Sequence, residues 1–242
     1  MNLVIDIGNT RIKAALFQNS HLFELKIYHS AKELLTDSNF IKQSKYAIIG
    51  SVVDNLDSFY SSINSKIPTI IFDSQTATPL TNLYASAATL GSDRIAASVG
   101  ANTLYPNSNV LVVDAGTCIK YNFTNSKNEY LGGAISPGIE MKFKALGHFT
   151  SKLPFVKFNK SYSELIATNT ENSILSGVLN GSVAEIDGTI SQYKSNFPDL
   201  ICILTGGDSE FLAKRLKNSI FAHQNLVLKG LNEILNYTLE KK

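Results

Sequence analysis

An α/β fold of two related domains is what this sequence predicts, and three observations carry it. Apolar runs of strand length alternate with helical spacings along most of the chain. The opening Leu3-Val4-Ile5-Asp6-Ile7-Gly8-Asn9-Thr10-Arg11-Ile12-Lys13 recurs as Leu111-Val112-Val113-Asp114-Ala115-Gly116-Thr117-Cys118-Ile119-Lys120, once Asn9 is treated as an insertion. Between the copies, Tyr105-Pro106-Asn107-Ser108-Asn109 is a turn-rich joint. Chance likeness between two apolar strands would not also match Asp, Gly, Thr and Lys. The expected division is therefore residues 1–107 and 108–242.

The elements follow in order. Leu3 to Ile5 meets the turn formers Gly8-Asn9-Thr10, and Arg11 to Phe17 resumes with strand-compatible residues, which makes a hairpin. A third strand is expected at Leu22 to Tyr28. Helical spacing around Ala31, Leu34 and Leu35 leads to a buried strand at Tyr46 to Ile49, a polar helix near Leu56 to Ile63 and a strand at Thr69 to Phe72. A meander followed by alternating helices and strands describes a mixed sheet rather than a purely parallel one. Ile95 to Thr103 reads as a helix of small residues. After the second copy come a turn and strand from Asn122 to Tyr130, a loop from Gly132 to Gly138 and a helix from Ile139 to Leu146. An irregular stretch then runs to Thr168, followed by a helix from Thr170 to about Tyr193, a strand from Leu200 to Leu204 and a helix from Glu210 to Leu216.

Composition narrows the function classes. With 242 residues, 44% hydrophobic and 17% charged, the chain is long and apolar enough to fold and is not globally disordered. Its 22 basic and 20 acidic residues give a net charge of +2, too close to neutral for sequence-blind binding of nucleic acid or an anionic membrane. Cys118 and Cys202 lie far apart in apolar runs and read as free packing thiols rather than a bridge, which favours a reducing cytoplasm. Neither a secretion signal nor an apolar stretch of ~18 residues is evident, so no membrane partner is expected.

Several segments are able to carry chemistry. In Asp6-Ile7-Gly8-Asn9-Thr10-Arg11-Ile12-Lys13, a strand ending in Asp and turning through Gly lets backbone N–H groups and the Thr hydroxyl approach a polyphosphate, while Asp6 can hold Mg²⁺. Taken alone it is equally an ordinary hairpin. The second copy, through Thr117, favours two phosphate hairpins acting as a nucleotide clamp. Thr205-Gly206-Gly207-Asp208 after a buried strand suits a flat ligand such as a nucleoside, or is a generic strand-to-helix turn. Gly91-Ser92-Asp93-Arg94 is either a helix cap through Ser92 or Asp93, or a loop whose Asp accepts a hydroxyl proton and whose Arg holds an anion. Thr170 is either a cap or a ligand contact. P-loop and Rossmann motifs are missing, no His pairs with a Cys at zinc spacing, and no Gly-x-Ser-x-Gly elbow occurs.

In this order, the segments resemble the type III pantothenate kinases of the superfamily that contains actin and the sugar kinases. The matching residues are Asp6 to Lys13, Gly91 to Arg94, Asp114 to Thr117, Gly132-Gly133-Ala134-Ile135-Ser136-Pro137-Gly138, Asn169-Thr170 with Ser173, Ile174 and Gly177, and Leu204 to Asp208. The resemblance implies two RNase H-like, actin-like ATPase domains, with mixed sheets flanked by helices and a cleft between them. It implies ATP-dependent phosphorylation of the pantothenate primary hydroxyl, the first step of coenzyme A synthesis, by a homodimer. It gives Asp93 the role of general base, places Tyr84, Gly91, Ser92, Asp93, Arg94 and Thr170 at pantothenate, and places Asp6, Ile7, Gly8, Asn9, Thr10, Arg11, Ile12, Lys13 and Thr117 at ATP. Asp6 becomes the Mg²⁺ organiser, and Asp114 the ligand of K⁺ or NH₄⁺. One departure stands out: Leu83 and Ala87 replace prolines the family usually carries around Tyr84, so a less restricted backbone is expected there. A sugar or acetate-type kinase of the same superfamily, or a non-catalytic ATP-binding regulator, are the competing readings.

Overall fold

The structure, a computed structural model, describes residues 1–53 and 56–241. The chain divides into two compact units, the first made of Met1–Ser108, Thr124–Gly132 and Asn225–Lys242 and the second of Asn109–Phe123 and Gly133–Gln224.

In the first unit, β1 (Asn2–Ile7), β2 (Ile12–Gln18) and β3 (His21–Tyr28) form the expected meander, and β4 (Tyr46–Ser51) and β5 (Thr69–Ile71) extend it in the order β3-β2-β1-β4-β5. The β1–β2 and β2–β3 pairs are antiparallel, and β1–β4 and β4–β5 are parallel. Val4, Ile5, Ile48 and Ile49 are fully buried, as strands covered on both faces require. One face packs α1 (Ala31–Thr36), α2 (Ser38–Lys42) and α3 (Asp57–Asn64) through Leu34, Phe40, Ile41, Phe59 and Ile63. The other packs α4 (Ser92–Leu104) through Ile95, Ala96 and Val99.

A second sheet has six strands, β6 (Thr81–Asn82), β7 (Val110–Ala115), β8 (Cys118–Thr124), β9 (Glu129–Pro137), β10 (Ile201–Thr205) and β11 (Phe221–Ala222), in the order β11-β10-β7-β8-β9-β6. Without the two-residue β6, this order repeats that of the first sheet, with β7 standing for β1 and β10 for β4. The duplication read from the two Asp-x-Gly segments is therefore present in the topology. The helices α5 (Ile139–Phe149), α6 (Thr170–Asn196) and α7 (Ser209–Ala213) supply the covering layers, with Phe143, Leu179, Ile186 and Leu212 in the core. Cys118 and Cys202 are both free, and burial pushes the Cys202 thiol up to about 12.

The fold class read from the sequence, mixed α/β sheets flanked by helices, is the one observed. Three local readings are corrected. Gly132 to Gly138 is not a loop: β9 runs unbroken to Pro137, with Gly132 and Gly133 at φ of 101° and 148°. A Cβ on Gly133 would stand 1.9 Å from the Tyr121 carbonyl oxygen, so glycine is what lets this strand lie against β8. The α6 cap is Asn169, whose side chain accepts from the Asn172 N–H at 2.9 Å, rather than Thr170. The third concerns α8 (Leu226–Glu240), for which the sequence reading assigned no element. It belongs to the first unit and crosses α4 at glycines: a Cβ on Gly230 would meet the Ala96 carbonyl oxygen at 1.7 Å, and one on Gly100 the Leu226 oxygen at 2.5 Å.

Candidate functional site

The first unit holds three groups of the expected site residues. In the hairpin, Asp6 and Lys13 are directly opposite one another across the antiparallel β1–β2 pair, and the Gly8 N–H donates to the Arg11 carbonyl at 3.1 Å. Asn9, Thr10 and Arg11 are exposed at the tip. Ile7 and Ile12 are buried in the core below it, so they can offer a ligand only their backbone.

The second group is the start of α4. Gly91 is the cap, with no side-chain capping bond, so neither Ser92 nor Asp93 serves as the cap. The Ser92 hydroxyl donates instead to the Ser51 carbonyl at 2.9 Å. Ser51 is the register partner of Ile7, so this bond ties the helix start to the strand beside the hairpin. A Cβ on Gly91 would stand 2.7 Å from Asp93 Oδ1; the bare glycine is what gives that carboxylate its position.

The third group surrounds Tyr84. Arg94 is only 4% exposed, and its guanidinium lies over the Tyr84 ring at 5.5 Å, with the Tyr130 ring 6.2 Å from Tyr84 on another side. A Cβ on Gly132 would come within 2.9 Å of the Tyr84 ring. Hydrogen bonds hold the backbone just before Tyr84. β6 (Thr81–Asn82) pairs parallel with the first residues of β9, the Leu83 N–H donates to the Tyr130 carbonyl at 3.0 Å, and the Tyr84 N–H donates to Asn82 Oδ1 at 3.0 Å. A proline at 83 has no N–H for that first bond.

In the second unit, Asp114 is buried near the end of β7 and pairs with the Lys120 ammonium at 2.8 Å from Oδ2. Thr205 is its register partner in β10, and a Cβ on Gly206, at φ 96°, would strike Asp114 Oδ1 and the Ala115 carbonyl. The Thr205–Asp208 turn thus packs directly behind the second Asp-x-Gly segment. Burial raises the Asp208 carboxyl above its ordinary range, with Lys160 opposing and Glu140 assisting. Gly116 and Thr117 form the turn, and the Gly138 N–H donates to the Thr117 carbonyl at 3.2 Å. A Cβ on Gly116 would meet nothing within 4 Å, so packing alone does not require that glycine.

Two features of the second unit had no sequence-based role. Lys120 was visible only as a repeated residue. Glu185 on α6 accepts from Ser136 of β9, Tyr121 of β8 at 3.2 Å and Lys142 of α5 at 2.6 Å. Burial raises the Glu185 carboxyl, but these donors outweigh it and hold it below its usual range. No local motif joins four residues so far apart in sequence. Thr170 lies at the first turn of α6, beside an open groove of about 750 Å³ lined by Leu146, Phe149, Leu153, Ile174 and Val178.

Asp6 and Asp114 are the two aspartates the sequence offers to cations. Among the described residues no cluster of three His, Cys, Asp or Glu side chains gathers as a protein cage. Mg²⁺ needs none, being held by one or two carboxylates together with substrate phosphates and water, so Asp6 fits that role. Asp114 has a cation of the protein's own at 2.8 Å and does not present an open carboxylate to a second one.

The family model described as type III pantothenate kinase matches residues 2–192. The type III pantothenate kinase of Christiangramia forsetii is 46% identical over 98% of both chains. Among solved structures, one described as a Baf family transcriptional activator from Campylobacter jejuni aligns with a TM-score of 0.68 at 22% identity, covering 98% of this chain and 99% of that one. The ROK hexokinase of Thermus thermophilus aligns at 0.51 and 11% identity over 99% of both, which shows a shared actin-like ATPase fold. No helix among the described residues is long and apolar enough to cross a membrane. A family match over most of the length, and a relative this similar from end to end, mean that the chain belongs to the type III pantothenate kinase family.

Proposed function

We propose that this chain transfers the terminal phosphoryl group of ATP to the primary hydroxyl of pantothenate, giving 4′-phosphopantothenate at the entry to coenzyme A synthesis. The observation that carries it is the start of α4, where Gly91 frees the place that Asp93 Oδ1 takes and Ser92 fixes the helix to the strand beside the hairpin. Asp93 accepts the hydroxyl proton as the substrate oxygen attacks the γ-phosphorus; the bond to the bridging oxygen breaks and ADP leaves. Buried Arg94, stacked on Tyr84, suits a pantothenate carboxylate, and Gly91, Ser92 and Thr170 complete the acceptor contacts.

Donor binding falls to the two turns. Asp6 through Lys13 and Thr117 offer backbone N–H groups, hydroxyls and the Lys13 ammonium to the ATP phosphates. The room in front of Gly116 supports close approach of a ligand to the backbone. Mg²⁺, held with Asp6, supplies charge neutralisation on the phosphates when bound. The family resemblance also places K⁺ or NH₄⁺ at Asp114, and no step is assigned to it in this chain. The apolar groove beside Thr170 supports a homodimer, and a cytoplasmic location suits the free thiols.

ADP release with ATP, Mg²⁺ and pantothenate, against an acceptor-free blank, tests the reaction. Pantothenate-dependent turnover is expected, and Asp93→Asn is expected to lower it ~10²–10⁴-fold with the fold intact. Turnover with a sugar but none with pantothenate would move the acceptor; an unimpaired Asp93→Asn enzyme would remove that residue from the base role.

A further inference from the structure

We infer that Lys120 is a built-in monovalent cation: its ammonium fills the place at Asp114 that the family resemblance gives to K⁺ or NH₄⁺, so that turnover needs neither. The inference rests on the kinase reading above and departs from it at this one site. The pair is close and mostly withdrawn from solvent, with the Lys120 side chain 18% and the Asp114 side chain 13% exposed at a separation of 2.8 Å. A charge-assisted contact of that length in low-dielectric surroundings is a strong one.

The chemistry matches. A lysine head group is a compact monovalent point charge that donates to oxygen, as NH₄⁺ does. It differs from a free ion in being tethered: β8 brings it to the carboxylate when the chain folds, so no ion has to be captured from solution. Its position is specified by the repeat. Asp114 and Lys120 stand in the second copy as Asp6 and Lys13 do in the first, where the two are register partners across a hairpin. The other Asp114 oxygen faces the Gly206 backbone, where a mere Cβ would come within 2.7 Å. One carboxylate oxygen is therefore held by the lysine, and the Gly206 backbone lies close to the other. A hydrated or free ion would have to displace the lysine before binding there.

The test compares wild type and Lys120→Met in K⁺, NH₄⁺, Na⁺ and choline buffers of equal ionic strength. Wild-type kcat/KM is expected to agree within about twofold across all four, because the tethered charge does not depend on the salt supplied. Lys120→Met is expected to lose about 10²-fold in Na⁺ or choline and to recover, saturably, when K⁺ or NH₄⁺ is added. A second readout is independent of catalysis: KCl should raise the melting temperature of Lys120→Met above its value in choline chloride, and leave wild type unchanged. A wild-type requirement for K⁺ or NH₄⁺ overturns the inference, as does a folded Lys120→Met enzyme that neither cation rescues. If Lys120→Met does not fold, the wild-type buffer series decides alone. If wild type shows no pantothenate-dependent turnover in any buffer, the kinase reading has failed, and the melting comparison still decides whether Lys120 excludes a cation.

Discussion

Gly91 and Asp93 form a pair in which the smaller residue sets the geometry of the larger. A Cβ at 91 would press on Asp93 Oδ1, the free end of a flexible side chain, rather than on backbone. The fold can therefore accept an alanine by letting the carboxylate turn away. Gly91→Ala is expected to melt within a few degrees of wild type while losing about 10²-fold in kcat, the scale on which a small misplacement of a reacting group is felt. Parallel loss of stability and activity in that variant would mean the glycine serves packing instead. The same scale explains what the sequence did and did not disclose. Gly91-Ser92-Asp93-Arg94 was visible as a candidate, but the choice between cap and catalytic loop was not, because both need Ser or Asp at a helix start. The bond from Ser92 to Ser51, across 41 positions of chain, and Gly91 at the cap remove the capping role.

Whole elements were legible where their pattern was local. The hairpin, the buried strands and the long α6 follow from apolar period and turn chemistry. β9 was hidden by Gly132 and Gly133, which read as loop residues although in the fold they mark a strand lying tightly on its neighbour. α8 was hidden by Gly230 and by Asn232, a fully buried polar residue on its inner face. Each weakens the helical signal, yet each has a partner far away in sequence: Gly230 meets Ala96, and Asn232 accepts from Asn2 at 3.0 Å and donates to the Asn19 carbonyl at 2.9 Å. Gly230→Ala forces a methyl group into the α4 backbone, where no flexible side chain can yield. About 1–3 kcal/mol of destabilisation is expected. Urea unfolding of that variant should show a lower midpoint, and an unchanged midpoint would mean the two helices separate at little cost.

Over the whole molecule, duplication is the feature that both sequence and structure display, since five strands of the second sheet repeat the order of the first. The second unit adds a carboxylate that joins two strands and two helices. Glu185 has a folded pKa below its ordinary value, so its contribution to stability is present above the usual carboxylate range and is lost as pH falls through the folded value. Glu185→Gln also leaves the Lys142 ammonium without its counter-charge. The gap in melting temperature between wild type and this variant should be widest near pH 7 and should narrow below about pH 4.3. A gap that stays constant with pH would assign the loss to shape rather than charge.

The chain order of the first unit has a consequence in time. Its three segments are Met1–Ser108, Thr124–Gly132 and Asn225–Lys242, so the second unit is complete once Gln224 has been made. During synthesis α4, with Asp93 at its start, emerges early and then waits for α8, which follows the whole of the second unit. Of the two units, the one begun first is thus finished second, reversing the usual N-terminal-first order of domain folding. A chain broken just after Gln224 holds every residue of the second unit, while the helix bearing Asp93 still lacks its neighbour.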